Sequence, residues 1–302
     1  MKSAIITGVN GLLGESLATF LIKKNIQVIG ISRKRKNLIK EIDKSLNFNF
    51  VELDLSQIEK LPELIESKGI KIKTQCTFYH FGWGGQDKLT DGKFEDQFKN
   101  VSYSAKAVQV ASKCACHKFV NVGTIEESYL ENVLNKNRQP EELKQLNYAI
   151  SKTASRDMSQ LVAYLEKIDY IHTRISVPID ETLSRGGYIP QTMRQIVNGI
   201  DFSEPKNSQY FDFIFLQDLC EAYYRIGCQG RNKANYYIGP GKPKTLMEYF
   251  SELKLYLEGK SISDLKNSIY KDNDIFNTDS IKTDLNFTCE FKMEELLQKR
   301  KK

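Results

Sequence analysis

A chain of 302 residues, 40% hydrophobic and 11% aromatic, carries enough apolar surface to close a full core, which excludes a disordered or low-complexity protein. Its net charge of +6 arises from 44 basic and 38 acidic residues spread along the sequence. The one basic cluster, Lys299, Arg300, Lys301 and Lys302, has no interleaved aromatics and reads as a solvated tail rather than a nucleic-acid patch.

No apolar run approaches the ~20 residues a membrane span requires. The first apolar run begins by residue 3, leaving no room for a signal peptide, so a soluble cytoplasmic protein is expected, with neither a membrane nor a nucleic acid as partner. Six scattered cysteines, of which only Cys114 and Cys116 lie close together, read as reduced structural thiols, and no metal site is expected. The mildly basic balance suits anionic small molecules.

In chain order, Ala4, Ile5 and Ile6 read as a buried strand that breaks at Gly8 into a glycine turn, followed by an amphipathic helix over 12–24. Gly8 permits the tight turn, Gly11 would let the main chain approach a pyrophosphate, and Gly14 would let the helix pack on the strand. Phosphates would then sit on the free N–H groups and positive dipole end of that helix. A merely structural glycine turn is the competing reading.

Residues 26–31 form a second strand, followed by Ser32, Arg33, Lys34, Arg35 and Lys36. An acidic residue at this strand end would accept hydrogen bonds from a ribose 2′-OH, whereas arginine accommodates a 2′-phosphate. Four cations in a row and no acid favour NADP(H) over NAD. An exposed basic helix start is the plainer alternative.

The third strand ends at Asp54 and Leu55, the fourth at Gly82 and Trp83, and the fifth, 118–122, at Gly123 and Thr124; helical patterns over 56–68 and 93–113 separate them. This alternation predicts an α/β, doubly wound parallel sheet whose ligands lie outside the carboxyl ends of the strands, where Asp54, Gly82 and Thr124 fall. Tyr148 and Lys152, four apart at the start of a long helix, share one face. An ammonium there stabilises the phenolate, so the hydroxyl can pass a proton. Such a pair arises by chance in many helices and gains meaning only beside the glycine turn and Thr124.

Together these motifs are specific. Thr7, Gly8, Gly11 and Gly14, then Asp54-Leu55, His80-Phe81-Gly82, and the set Thr124, Tyr148 and Lys152 resemble the extended short-chain dehydrogenase/reductase family, the group of nucleotide-sugar epimerases, dehydratases and 4-keto reductases. Arg174-Ile175-Ser176-Val177-Pro178, the run from Asp212 to Asp218, and the tail residues Lys282, Leu285, Asn286 and Phe287 extend the resemblance over nearly the whole chain.

The resemblance implies a Rossmann-type NAD(P)-binding domain over 1–178 and a smaller, partly interleaved C-terminal substrate-binding lobe over 179–302. It implies catalysis by Tyr148, Lys152 and Thr124, and cofactor contacts from Gly8, Asn10, Gly11, Leu12, Leu13, Gly14, Ser32, Arg33, Asp54, Leu55, Phe81, Gly82, Trp83, Tyr148 and Lys152. Substrate contacts would come from Trp83, Thr124, Glu126 and Arg185, and a homodimer would form through helices at 93–113 and 143–166.

Two departures shape the expected function. Val177-Pro178-Ile179-Asp180 replaces the family's Asn-x-Tyr-Gly-Pro, and Thr124-Ile125-Glu126 keeps the acid of the dehydratases but loses its polar neighbour. The expectation is therefore an NADP(H)-dependent reductase of a keto group, at C4, of a nucleotide-activated sugar in surface-glycan precursor synthesis. The alternatives are an epimerase or dehydratase with tightly bound NAD, or a non-catalytic dinucleotide-sensing module. Trp83 reads equally as a wall of the sugar site or as core, Arg185 equally as a clamp on a diphosphate or as an ordinary surface loop, and His80 as a packed core histidine.

Overall fold

The computed structural model describes residues 1–35, 42, 44–85, 93–135, 146–205, 209–260, 274–290, 292, 293 and 295–298; Lys36 and the basic tail 299–302 lie outside them. The chain divides into two compact units, 1–175 with 223–236, and 176–222 with 237–302.

The first unit is built on parallel strands. β1 (Ser3–Thr7), β2 (Gln27–Ser32), β3 (Phe48–Glu52), β4 (Cys76–His80), β5 (Lys118–Val122) and β6 (Asp169–Ile175) pair in the order β3-β2-β1-β4-β5-β6, every pairing parallel. All residues of β1, β4 and β5 are buried, as expected of strands covered on both faces. The connecting segments are α1 (Leu12–Lys23), a 3₁₀ segment (Leu55–Lys60) leading into α2 (Leu61–Ser67), α3 (Phe94–Lys113), α4 (Ile125–Asn135) and α5 (Leu146–Leu165). The registers Thr7 with Ile31, Thr7 with His80, and His80 with Asn121 bring the carboxyl ends of the central strands together.

One element differs from the sequence expectation. The helical pattern over 56–68 is broken, because Gln57 leaves helical geometry (φ −116°, ψ 19°) and Pro62 restarts the run at the head of α2. Directly after Thr124 the chain enters a helix, α4.

The imidazole buried inside the sheet on β4 is paired. His80, 3% exposed, meets Thr7 Oγ1 through Nδ1 at 2.9 Å and Ser104 Oγ through Nε2 at 3.1 Å. Burial drives its pKa down to about 3, so it is a neutral core histidine. The six cysteines are free thiols, and Cys76, Cys114 and Cys116 pack in one hydrophobic cluster with Phe78 and Phe119.

In the second unit, β7 (Val177–Ile179) pairs parallel with β9 (Phe213–Phe215), and β8 (Tyr210–Phe211) pairs antiparallel with β11 (Lys244–Thr245). Helices α6 (Tyr188–Val197) and α8 (Leu246–Leu257) close a core around Ile179, Met193, Phe213, Phe215, Phe250 and Leu253. α7 (Leu216–Gln229) and β10 (Asn235–Ile238) each run across the division of the chain, so that the first unit includes 223–236 and its sheet gains β10 beside β6, and α9 (Asp279–Leu285) and α10 (Glu295–Gln298) complete the described elements. Asp212, with no exposed surface, accepts from Tyr237 Oη at 2.8 Å and from the N–H groups of Gly241 at 2.8 Å and Lys242 at 3.1 Å, tying β9 to the turn before β11. No described helix is long and apolar enough to cross a membrane.

Candidate active site

The glycine turn is dictated by the backbone. Gly8 sits at φ +69°, and a Cβ there would come within 3.0 Å of Gly82 N. A Cβ on Gly14 would stand 2.4 Å from Gly8 O, so α1 packs onto the turn only through glycine. Gly11 is less constrained by the protein itself: it is exposed, donates to Gly8 O at 2.9 Å, and opens α1 as an N-cap with no side-chain cap. Leu12 and Leu13 follow, half-buried, on the first turn.

Asn10 joins this turn to the end of β2, its Nδ2 donating to Lys34 O at 2.6 Å while its Oδ1 is buried without a hydrogen-bond partner. An uncapped helix start beside an orphaned buried acceptor fits a ligand that brings both phosphate oxygens and a donor.

At the neighbouring strand ends, Ser32 is half-buried and Arg33 exposed. Asp54 Oδ1 accepts from Ser56 Oγ at 2.6 Å and Ser56 N at 2.9 Å; these bonds, with Arg33 nearby, hold the carboxyl below its ordinary range. Asp54 thus caps the 3₁₀ segment, a local role the motif reading did not include. Leu55 Cδ1 and Thr7 Oγ1 crowd the place of a Cβ at Gly82, at 2.9 and 3.2 Å, and Thr7 Oγ1 accepts from Gly82 N at 3.0 Å. The Phe81 ring turns inward against Tyr223, 5.1 Å between centroids, so only its backbone is placed to meet a ligand.

Trp83 follows on a segment pinned to α3. Its Nε1 donates to Gln97 Oε1 at 2.8 Å, Gln97 Nε2 donates to Gly85 O at 2.8 Å, and Asn100 brackets Gly84 with bonds to its N (2.9 Å) and O (3.1 Å). The half-buried indole stands edge-on to Tyr148, 6.0 Å between centroids at 87°, and its face lies 3.9 Å from Lys152 Nζ.

Thr124, Tyr148 and Lys152 are brought together here. The Thr124 side chain hydrogen-bonds the Tyr148 hydroxyl, and Lys152, 7% exposed, donates to Val122 O at 2.8 Å from one turn further along α5. Burial lowers the Lys152 pKa to about 8, with Glu127 acting in the opposite sense. The Tyr148 hydroxyl departs from the expectation of a phenol drawn toward neutral pH. Burial, reinforced by Glu127 and Glu126, holds it above its ordinary value, against the Thr124 bond.

Glu126 is half-buried; its N–H donates to Thr124 Oγ1 at 3.4 Å, and burial raises its carboxyl pKa. Arg185 belongs to the second unit, half-buried in the turn before α6, where its backbone N–H donates to Asp180.

The motif reading missed Glu127 and His172. Glu127 Oε1 accepts from Thr124 N at 2.8 Å and Oε2 meets His172 Nε2 at 2.9 Å, both side chains being buried. The pattern Thr124-x-x-Glu127 is a capping-box signal and was legible; the partnership with His172, 45 residues away, was not.

A parallel sheet with a glycine turn after its first strand, and hydroxyl, phenol and ammonium groups gathered after its fifth, defines a Rossmann-type α/β protein. The chain belongs to the NAD dependent epimerase/dehydratase family, whose model matches residues 4–239. This is the family that the motifs imply.

A CDP-abequose synthase from Salmonella muenchen is 26% identical over 161 residues, 51% of this chain and 54% of that protein, so the alignment spans about half of the curated relative's length. Among solved structures, the UDP-glucose 4-epimerase of Thermotoga maritima with UDP-glucose superposes with a TM-score of 0.73 at 17% identity, over 98% of this chain and 96% of that one. The enzyme WbmG of Bordetella bronchiseptica in complex with NAD and UDP gives 0.71 at 16% identity, over 98% and 92%. These likenesses establish the fold.

Proposed function

We propose that the protein is an NADP(H)-dependent oxidoreductase that reduces a keto group, at C4, of a nucleotide-activated sugar in the synthesis of surface-glycan precursors. The observation that carries this reading is the convergence of Thr124, Tyr148 and Lys152 at the carboxyl end of β5, in the same unit as the glycine turn. The partial likeness to a CDP-abequose synthase supports the substrate class.

The dinucleotide fits the residues present. Its pyrophosphate would lie on the uncapped start of α1 at Gly11, Leu12 and Leu13, with Asn10 Oδ1 accepting a donor. When bound, the reduced nicotinamide supplies the hydride. Gly8, Gly14 and Gly82 keep the floor of the site free of side chains, and Leu55 and the Phe81 backbone flank it.

Tyr148 transfers its hydroxyl proton to the sugar oxygen as the carbonyl carbon becomes sp³. A phenol held above its ordinary pKa is fully protonated at neutral pH, which suits a proton donor and hence the reductive direction. Thr124 Oγ1 orients that hydroxyl and polarises the same oxygen. Lys152 holds the cofactor ribose and compensates the developing phenolate. Trp83 walls the site beside Tyr148, and Glu126 contacts the sugar.

An epimerase that retains NAD and returns the hydride to its own substrate is the second reading, supported by the NAD and UDP held by WbmG. Denaturing fresh protein, identifying any released nucleotide and titrating empty protein with NADPH and NADH separates the two: an empty protein preferring NADPH is expected, and stoichiometric NAD would overturn the reductase. Ser32 and Arg33, at the end of β2, are the proposed readers of the 2′-phosphate. Arg33→Ala is expected to weaken NADPH about tenfold, roughly 1.4 kcal/mol, while leaving NADH within twofold. Equal losses for both would remove Arg33 from that role.

We also infer a homodimer. Phe94 and Phe98 on α3 and Ile150, Met158, Leu161, Tyr164 and Leu165 on α5 are large apolar side chains left 43–70% exposed on two helices that pack together, supporting burial against a second copy. Light scattering should give twice the chain mass of 34.7 kDa; the single-chain mass would refute it.

A further inference from the structure

The proposed chemistry needs Lys152 charged in a place where burial opposes charge. Two residues beyond Val122, whose carbonyl Lys152 holds at 2.8 Å, the Thr124 N–H donates to Glu127. Lys152 and Glu127 therefore grip alternate residues of one short segment, 122–124, at the end of β5. Gly123 between them is required to be glycine, because a Cβ would stand 2.2 Å from Glu127 Oε1 and 2.4 Å from His172 Nε2.

Capping alone does not call for this arrangement. The same box of threonine and glutamate opens α8 with Thr245 and Glu248, and there the glutamate is only half-buried. Glu127 is fully buried, with one oxygen on Thr124 N, the other on His172, and Arg156 Nη1 at 3.9 Å. Burial pushes its carboxyl up, but His172, the Thr124 N–H and Lys152 outweigh burial and leave it below its ordinary value, hence ionised.

We propose that Glu127 is a positioning residue of the reaction: its buried carboxylate, clamped by His172, keeps the Lys152 ammonium charged and so sets the upper pH limit of activity. This deepens the oxidoreductase reading and rests on it. Among the described residues, Lys152 faces neutral His80 from β4, the Trp83 ring from the segment after β4, the Val122 carbonyl from β5, Tyr148 from its own helix and Glu127 from α4, with Glu126 beside Tyr148. Glu127 is the charge that raises its pKa against burial.

The test uses the single tryptophan of the chain, Trp83, whose ring lies against the Lys152 ammonium. The component of its fluorescence pH titration that Lys152→Met abolishes reports the ammonium. That component is expected near pH 8 in the native protein. In Glu127→Gln it should fall by at least one pH unit, and in Glu127→Asp, which keeps the charge, it should stay within half a unit of native.

Glu127→Ala removes the charge by another route and should give the same fall, which covers a glutamine variant that fails to fold. A neutral variant, folded by circular dichroism, whose component stays at the native pH overturns the proposal. The fluorescence needs no substrate, so the two claims fail separately: absent turnover with the shift intact counts against the oxidoreductase reading, and turnover with no shift counts against Glu127.

Discussion

Tyr148→Phe is expected to lower kcat about 10³-fold while leaving dinucleotide affinity within a few-fold of native. The substitution removes one oxygen and keeps the ring that stands edge-on to Trp83, so the packing around Lys152 is retained. What is lost is the proposed proton donor and its hydrogen bond with Thr124. Reduction at carbon can then proceed only if water protonates the oxygen. Single-turnover kinetics with saturating cofactor, alongside calorimetric titration of the dinucleotide, separates chemistry from binding. A loss under tenfold would show that Tyr148 is not the proton donor.

The largest expected loss of stability comes from Asp212→Ala. Three donors, Tyr237 Oη and the N–H groups of Gly241 and Lys242, converge on a carboxylate with no exposed surface. Each donor left buried and unpaired costs about 1–3 kcal/mol, so a loss on the order of 4 kcal/mol is expected, large for a single substitution. Glycine at 239 belongs to the same device, because a Cβ there would lie 2.6 Å from Asp212 Oδ2. Asp212→Asn retains a carbonyl acceptor and should cost about half as much. Urea unfolding monitored by circular dichroism measures both; an alanine variant within about 1 kcal/mol of native would mean that water satisfies these donors.

Much of this architecture was legible in the residues because its determinants are local. Ala4, Ile5 and Ile6 before Gly8 announce a buried strand and a turn, and the structure shows why glycine is needed at 8 and 14, from a positive φ and a 2.4 Å approach. Tyr148 and Lys152 share a face by helical geometry alone. The helical pattern after Asp54 was read too simply, because Pro62 and the Asp54 cap divide it into two pieces.

The Glu127 and His172 pair was illegible for a different reason. Its two halves are distant in sequence, and a glutamate after a catalytic-type threonine looks like a surface residue until β6 brings an imidazole against it. Trp83 was balanced between core and site because a lone tryptophan carries no periodicity; its place became visible only once Gln97 anchored its nitrogen. Coenzyme preference stays with Ser32 and Arg33 as a proposal, since it is a difference between two ligands that share nearly every contact.

The most direct measurement is deuterium transfer. The protein is incubated with NADPH deuterated at C4 of the nicotinamide and a panel of nucleoside-diphosphate 4-keto-6-deoxyhexoses, and the sugar products are read by mass spectrometry and NMR. One deuterium on C4 of the product sugar, with one NADP⁺ formed per turnover, is the predicted result. Isomerised or dehydrated sugar carrying no deuterium, with the added NADPH unconsumed, would contradict it and place the hydride on an internally recycled NAD.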